Sequence, residues 1–421
     1  MLTGVDSART GTSIALPWGV WRQDVRQEWP LPASWTPVVC TNQQKVPLTP
    51  TAIDAAFDTP IGTERLETIV SGARSVAIAI DDITRPTPTA QLLPLVLNRL
   101  RAAGVPRPRI TIAIASGAHR RATPDDVGLK VGPECADISV VPHDPTGDLI
   151  DTGQLLGGVP VRVNRAFMDA EIRIGICGVL PHPFAGFSGG AKIVVPGLAD
   201  LDVLARTHKF ALMGLRGGHQ LQGNRFRSEM EDVVRAIGLH WTVNVAIDEQ
   251  RRPVALACGD LVAAHRSAAS AAEEAARTPS PDHPLDALVL NAYPKDGELL
   301  QLEAAFVALR SGMLRWLAPG APVVLAGACL EGLGHHELFG PGGRLFRAPA
   351  AKTFLTDHPL VIFAPGVTSE ECAAAFWGGY RHFALWPELV EYLNPRLARQ
   401  PRVGIVPCAP LQLATEESHA A

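Results

Sequence analysis

Short β-branched apolar runs alternate with longer helical stretches along this chain. Residues 76–80, 110–115, 172–177 and 241–247 are almost wholly apolar. Continuous rather than alternating hydrophobicity marks strands buried on both faces, as in a parallel sheet covered by helices. A helix is expected over 91–103, between the first two runs. Residues 261–276 read as an alanine-rich helix that Thr278-Pro279-Ser280-Pro281 cannot extend, because proline lacks an N–H and clashes with the preceding turn. A second series of runs follows at 287–290, 323–326, 360–364 and 403–406. The pattern predicts an α/β fold of two α/β domains with mainly parallel sheets. The expected division is an N-terminal domain over 1–272, a linker over 273–286, a C-terminal domain over 287–402 and a strand with its tail over 403–421. Ligands of such sheets sit beyond the carboxyl ends of the strands, so the active site is expected in the interdomain cleft.

Length supports two cores, since 421 residues exceed what one ordinary core organises. The formal charge is −4 and no Lys/Arg-rich run occurs, which argues against nucleic acid and anionic membrane as partners. The first residues lack a basic segment followed by an apolar core, and no uninterrupted apolar run reaches the length of a membrane span. Seven cysteines are scattered without a C-x-x-C pair, which suits reduced thiols and a cytoplasmic setting better than a disulfide frame or a zinc site.

The polar chemistry gathers at predicted strand ends. Pro181-His182-Pro183-Phe184-Ala185-Gly186-Phe187-Ser188-Gly189-Gly190-Ala191-Lys192 joins an imidazole and an amine to a glycine-rich turn, with His208 sixteen positions on. Glycines let backbone N–H groups approach an anion, lysine can bond covalently to an acyl or carbonyl group, and histidine can shuttle protons or ligate metal. A nucleotide P-loop does not fit, because Ala191 and Ile193 stand where its second glycine and its hydroxyl belong. Asp82-Ile83-Thr84-Arg85-Pro86 follows the first strand; Arg85 can clamp a carboxylate or form a plain surface ion pair. His119, in Ser116-Gly117-Ala118-His119-Arg120, reads equally as structural or catalytic by itself. Residues 332–343, with His335 and His336, read as a loop at the domain junction that reaches the cleft. His265 and the remaining histidines read as structural or exposed.

Together these segments resemble the nickel-pincer-nucleotide lactate racemases and related 2-hydroxyacid racemases and epimerases. The likeness rests on Asp82-x-Thr84-Arg85-Pro86, Gly117-x-His119-Arg120, the run from Pro181 to Lys192, Pro196-Gly197, His208, Tyr293-Pro294-Lys295-Asp296 with Gln301, and Trp377-Gly378. It implies that Lys192 holds a pyridinium-3,5-bisthiocarboxylic acid mononucleotide covalently, with nickel on His208. It also implies His119 and His182 as paired acid/base groups, Asp82, Thr84, Ser188, Gly189 and Gly190 around the cofactor, and Arg85, Lys295, Gln301 and Trp377 around a small 2-hydroxyacid. The implied reaction moves a hydride to the cofactor and back, because no side chain accepts one. Cofactor-maturation enzymes are implied partners, and self-association stays open. The family pattern Tyr-Gln-x-x-Lys reads Leu300-Gln301-Leu302-Glu303-Ala304 here, which points to a substrate other than lactate. A metal-dependent hydrolase or lyase using the same histidines, and a non-catalytic hydroxyacid-binding protein, are the alternatives.

Overall fold

The apolar runs become the strands of two sheets in the computed structural model, which describes residues 12–43, 45–212, 221–376 and 378–415. The first sheet has six strands in the order Pro253–Gly259, Trp241–Ile247, Ile172–Gly178, Val76–Asp81, Ile110–Ala115 and Ser139–Pro142. All neighbours pair parallel except Pro253–Gly259, which returns antiparallel along Trp241–Ile247. The second sheet is parallel throughout, in the order Arg381–Phe383, Leu360–Phe363, Val323–Ala326, Ala287–Asn291, Arg402–Val406 and Thr36–Val39. Ile78, Ile80, Ile112, Ile174, Val243 and Leu290 are inaccessible to solvent, as strands covered on both faces require. The expected α/β class and its mainly parallel sheets are therefore present. Among the described residues no helix is long and apolar enough to cross a membrane.

The chain divides between the lobes differently from the expected boundaries. Ser13–Trp18 pairs antiparallel with Val25–Pro30, and Thr36–Val39 forms the edge of the second sheet beside Arg402–Val406. Residues 13–39 thus belong to the second lobe, and Arg402–Val406 is an internal strand of that lobe rather than a tail. Aromatic burial is the reason. Trp29 packs against Trp18, Phe363 and Trp386, with ring centroids 5.4, 5.6 and 4.6 Å away. The Asp296 carboxylate then accepts the backbone N–H groups of Gly19 (2.8 Å) and Val20 (3.2 Å), fixing the segment beside the cleft. The alanine-rich helix runs over Ala263–Ala276 and leads directly into Arg277–Thr278, which pairs with Leu413–Ala414. Residues 416–421 lie outside the described residues.

Loops at the carboxyl ends of both sheets face each other. A β-bridge joins His119 to His336, and the Glu337 N–H donates to the Ala118 carbonyl at 2.8 Å. Beside it, Glu331 pairs with Arg22 and Arg120, both of which also reach the buried Asp126. The Trp29→Ala substitution should destabilise the protein by roughly 3–5 kcal/mol, the usual cost of emptying a large aromatic site. Urea unfolding should show this as a lower midpoint, and an unchanged midpoint would contradict the packing described.

Candidate active site

The strand Val76–Asp81 ends at the cleft, and the turn after it sets a carboxylate against an imidazole. Asp82 is almost wholly buried (2 % exposed) and faces His119 from 2.7 Å, Oδ2 to Nδ1. Its other oxygen accepts the Thr84 hydroxyl at 2.8 Å. Burial would raise the Asp82 carboxyl, but the His119 imidazole, the Arg85 guanidinium and the Thr84 hydroxyl outweigh it and hold the group well below the usual carboxylate range. An ionised Asp82 accepts only, so His119 carries its proton on Nδ1 and presents a bare Nε2. Gln301, from the second lobe, donates its amide N–H toward that Nε2 at 3.3 Å, while Arg85 donates to the Gln301 carbonyl at 3.4 Å.

The glycine-rich run forms a tight turn. Pro181–His182 pairs antiparallel with Gly186–Phe187, and a 3₁₀ turn over Gly190–Ile193 carries Lys192. Gly190 has φ +58, and a Cβ there would lie 2.9 Å from the His265 ring, so no larger residue fits. The Ser188 hydroxyl donates to the Gly178 carbonyl (2.7 Å) and accepts from the Leu180 N–H (2.9 Å), so its proton is committed to closing the turn. His265 donates to the Ser188 carbonyl at 2.8 Å. Below the turn, the fully buried Arg227 donates to the carbonyls of Ala185, Phe187 and Gly189. Sequence reading did not single out Arg227; an arginine four residues before Glu231 on an amphipathic helix looks like an ordinary surface pair. Burial, with help from Arg227 and Arg85, pushes the Lys192 amine down to about 7. No hydrogen-bond partner of that amine is found among the described residues.

Three further imidazoles complete the wall, and their hydrogen bonds fix their tautomers. His208, on the helix Leu201–Leu212, donates Nδ1–H to the Leu204 carbonyl at 2.8 Å, leaving Nε2 bare. Burial lowers it to about 4, with Lys192 and His119 adding to the effect against the Leu204 carbonyl. A backbone carbonyl on the far nitrogen is the usual orienting partner of a metal-binding imidazole. His182 is the reverse. Its Nδ1 accepts the N–H groups of Phe184 (3.2 Å) and Ala185 (3.3 Å), so its proton sits on Nε2. Burial, then Lys192 and Arg85, drives its pKa well below the ordinary value, so it is a neutral donor. His336 repeats the motif, accepting at Nδ1 from Leu338 and Phe339 at 3.2 Å each. Its ring lies edge-on to both His119 and His208, with centroids 5.5 Å apart in each case.

Asp82, Arg85, His119, His182, Ser188, Gly189, Lys192, His208 and His336 all line one cleft. Thr84, Lys295 and Gln301 line a smaller neighbouring pocket on the other side of the Asp82–Arg85 turn. The Lys295 ammonium donates to the Thr84 carbonyl at 3.0 Å, and burial, with Arg85 adjacent, lowers its pKa well below the ordinary lysine range. Gly190 does not line the cleft; its N–H donates to Asn244 at 3.1 Å. Trp377 lies outside the described residues. Among the described residues no three His, Cys, Asp or Glu side chains are grouped to hold a metal. A metal on His208 would therefore take its other donors from a cofactor, and an uncommitted buried amine on the same cleft has the chemistry to hold one.

Fold and site define a two-lobed α/β protein with a buried lysine and an Asp-paired histidine facing a common cleft. Residues 24–217, a little under half of the chain, match the lactate racemase N-terminal domain family. It is 30% identical over 255 residues to the lactate racemase of Lactiplantibacillus plantarum, covering 59% of this chain and 60% of that protein. It is 26% identical over 291 residues to the lactate racemase of Thermoanaerobacterium thermosaccharolyticum, covering 67% of this chain and 66% of that one. The chain thus spans less than two thirds of the length of both curated relatives in these alignments. Among solved structures, the lactate racemase apoprotein from T. thermosaccharolyticum shares the fold with a TM-score of 0.73 at 21% identity, over 96% of this chain and 100% of that one. A Thermotoga maritima protein does so with 0.65 at 18% identity, over 88% and 99%.

Burial disfavours the ammonium form, so Lys192 should be a neutral nucleophile above about pH 7. Acetylation of Lys192 by an N-hydroxysuccinimide ester, followed by peptide mass spectrometry, should reach half its maximal rate near that pH. The Arg227→Met substitution, which removes a neighbouring charge, should move the midpoint upward. A wild-type midpoint in the ordinary lysine range would contradict the burial described.

Proposed function

We propose that this chain is an isomerase, a racemase or epimerase that inverts the C2 hydroxyl carbon of a 2-hydroxyacid. It would work with a nickel-pincer nucleotide tethered to Lys192 and supplied by cofactor-maturation enzymes. The observation that carries the reading is the meeting of a depressed-pKa lysine, a bare His208 Nε2 and the Asp82–His119 pair on one cleft. When bound, the nucleotide would supply the hydride acceptor and donor that amino-acid side chains lack.

The chain's own groups would do the rest. Arg85 lies beside the base, where it can pair with the substrate carboxylate once the Gln301 amide moves aside. His119 accepts the C2 hydroxyl proton at Nε2, and the ionised Asp82 stabilises the resulting imidazolium through Nδ1–H. His182 is assigned to the opposite face as the second acid/base group. It enters as a donor through Nε2–H, and acting as a base requires its ring to turn away from the Phe184 and Ala185 N–H groups. Leu300 and Ala304 carry no donor for a carboxylate, which favours a 2-hydroxyacid other than lactate.

Protein produced together with the maturation enzymes should carry a mass adduct that Lys192→Ala abolishes. His119→Ala should keep the adduct and lower inversion by roughly 10²–10⁴-fold, the usual contribution of a general base, as read by chiral chromatography over a 2-hydroxyacid panel. An unmodified wild-type protein, or full activity without Lys192, would overturn the reading.

A further inference from the structure

His336 reaches the cleft from the second lobe, in a loop that the backbone pins to the first. The β-bridge to His119 and the Glu337 N–H bond to the Ala118 carbonyl set its main chain. Its ring is held twice over: Nδ1 accepts two N–H groups of its own turn, and the face stacks on Phe339 with centroids 5.2 Å apart and planes 29° apart. Backbone amides only donate, so the ring proton lies on Nε2, on the edge turned away from its own turn. The ring stands between His119 and His208 and lines the cleft. A donor fixed in this way pays little entropy when it meets an acceptor. In the facing segment Leu300 and Ala304 carry no donor, the Gln301 amide N–H is directed at His119, and the Lys295 ammonium donates to the Thr84 carbonyl.

We propose that His336 is a substrate-binding residue, an N–H donor that the second lobe delivers to the substrate carboxylate alongside Arg85. The assignment rests on the 2-hydroxyacid reading above and adds a residue from the opposite lobe to it. Arg85 supplies the positive charge and His336 supplies direction, so the acid is gripped from both sides of the cleft only when the two loops are bridged.

Two substitutions separate this role from a structural one. His336→Phe keeps a ring that can stack on Phe339 and removes the donor, whereas His336→Gln restores an N–H. Oxamate, a small carboxylate analogue of a 2-keto acid, should bind the unloaded protein in isothermal titration calorimetry. The Phe variant should bind it roughly tenfold to a hundredfold more weakly, the scale of one hydrogen bond to a charged group, and the Gln variant should recover most of the loss. In loaded enzyme the same change should appear mainly in KM, with the Lys192 adduct mass and the melting temperature unchanged. Equal oxamate affinity in wild type and the Phe variant, no binding to wild type, or a Gln variant as weak as Phe would overturn the assignment. A loaded wild type that inverts no 2-hydroxyacid, yet whose oxamate affinity still depends on His336, would instead remove the proposed reaction and leave the donor in place.

Discussion

One buried guanidinium holds the site together. Arg227 is fully buried, and it donates to three carbonyls of the turn that leads to Lys192. Without it those carbonyls would face a dry interior with no donor, a penalty of roughly 1–3 kcal/mol for each. The same charge also sets chemistry, because an amine buried near a fixed cation is easier to keep neutral. Shape of the turn and reactivity of the lysine therefore have a common origin. Glu231, 3.8 Å from Arg227 and bound more closely by Arg266, keeps the buried charge from standing alone.

The four cleft imidazoles are not interchangeable. Each has one nitrogen assigned by a partner that can only donate or only accept, so the protein decides which edge is basic. His119 and His208 offer lone pairs, one oriented by a carboxylate and the other by a backbone carbonyl. His182 and His336 offer protons, both through the same local device, in which a histidine accepts the N–H groups two and three residues further on. Two acceptors and two donors on one wall form a polarised surface, suited to a ligand that both gives and takes hydrogen bonds, as a hydroxyacid does.

Much of this was legible in the chain. The eight apolar runs located eight strands of the two sheets to within a residue or two, because strands buried on both faces carry an unbroken signal. Asp82, Arg85, His119 and His182 were visible because they follow strand ends, where parallel sheets expose loops, and Lys192 and His208 because of their spacing from the glycine-rich run. Arg227 and the role of His336 were not visible, since their importance lies in which backbone atoms they meet. The lobe membership of residues 13–39 was hidden for a related reason. A four-residue strand containing a proline gives a weak periodic signal, and the tryptophans that hold it find their partners more than 300 positions away. Ser188 could be placed beside the glycines from the chain alone, but not the bond of its hydroxyl proton to the Gly178 carbonyl.

Because Thr36–Val39 lies beside Arg402–Val406, the first lobe is an insertion within the second. The polypeptide leaves one lobe, builds the other and comes back. Two covalent tethers rather than one connect the halves, so any relative motion resembles a door on paired hinges more than a ball on a string. Order of synthesis follows as well. The indoles near the amino end leave the ribosome first but find their seats only after strands near the carboxyl end have emerged, so the inserted lobe can complete its core while the lobe that began first is still waiting.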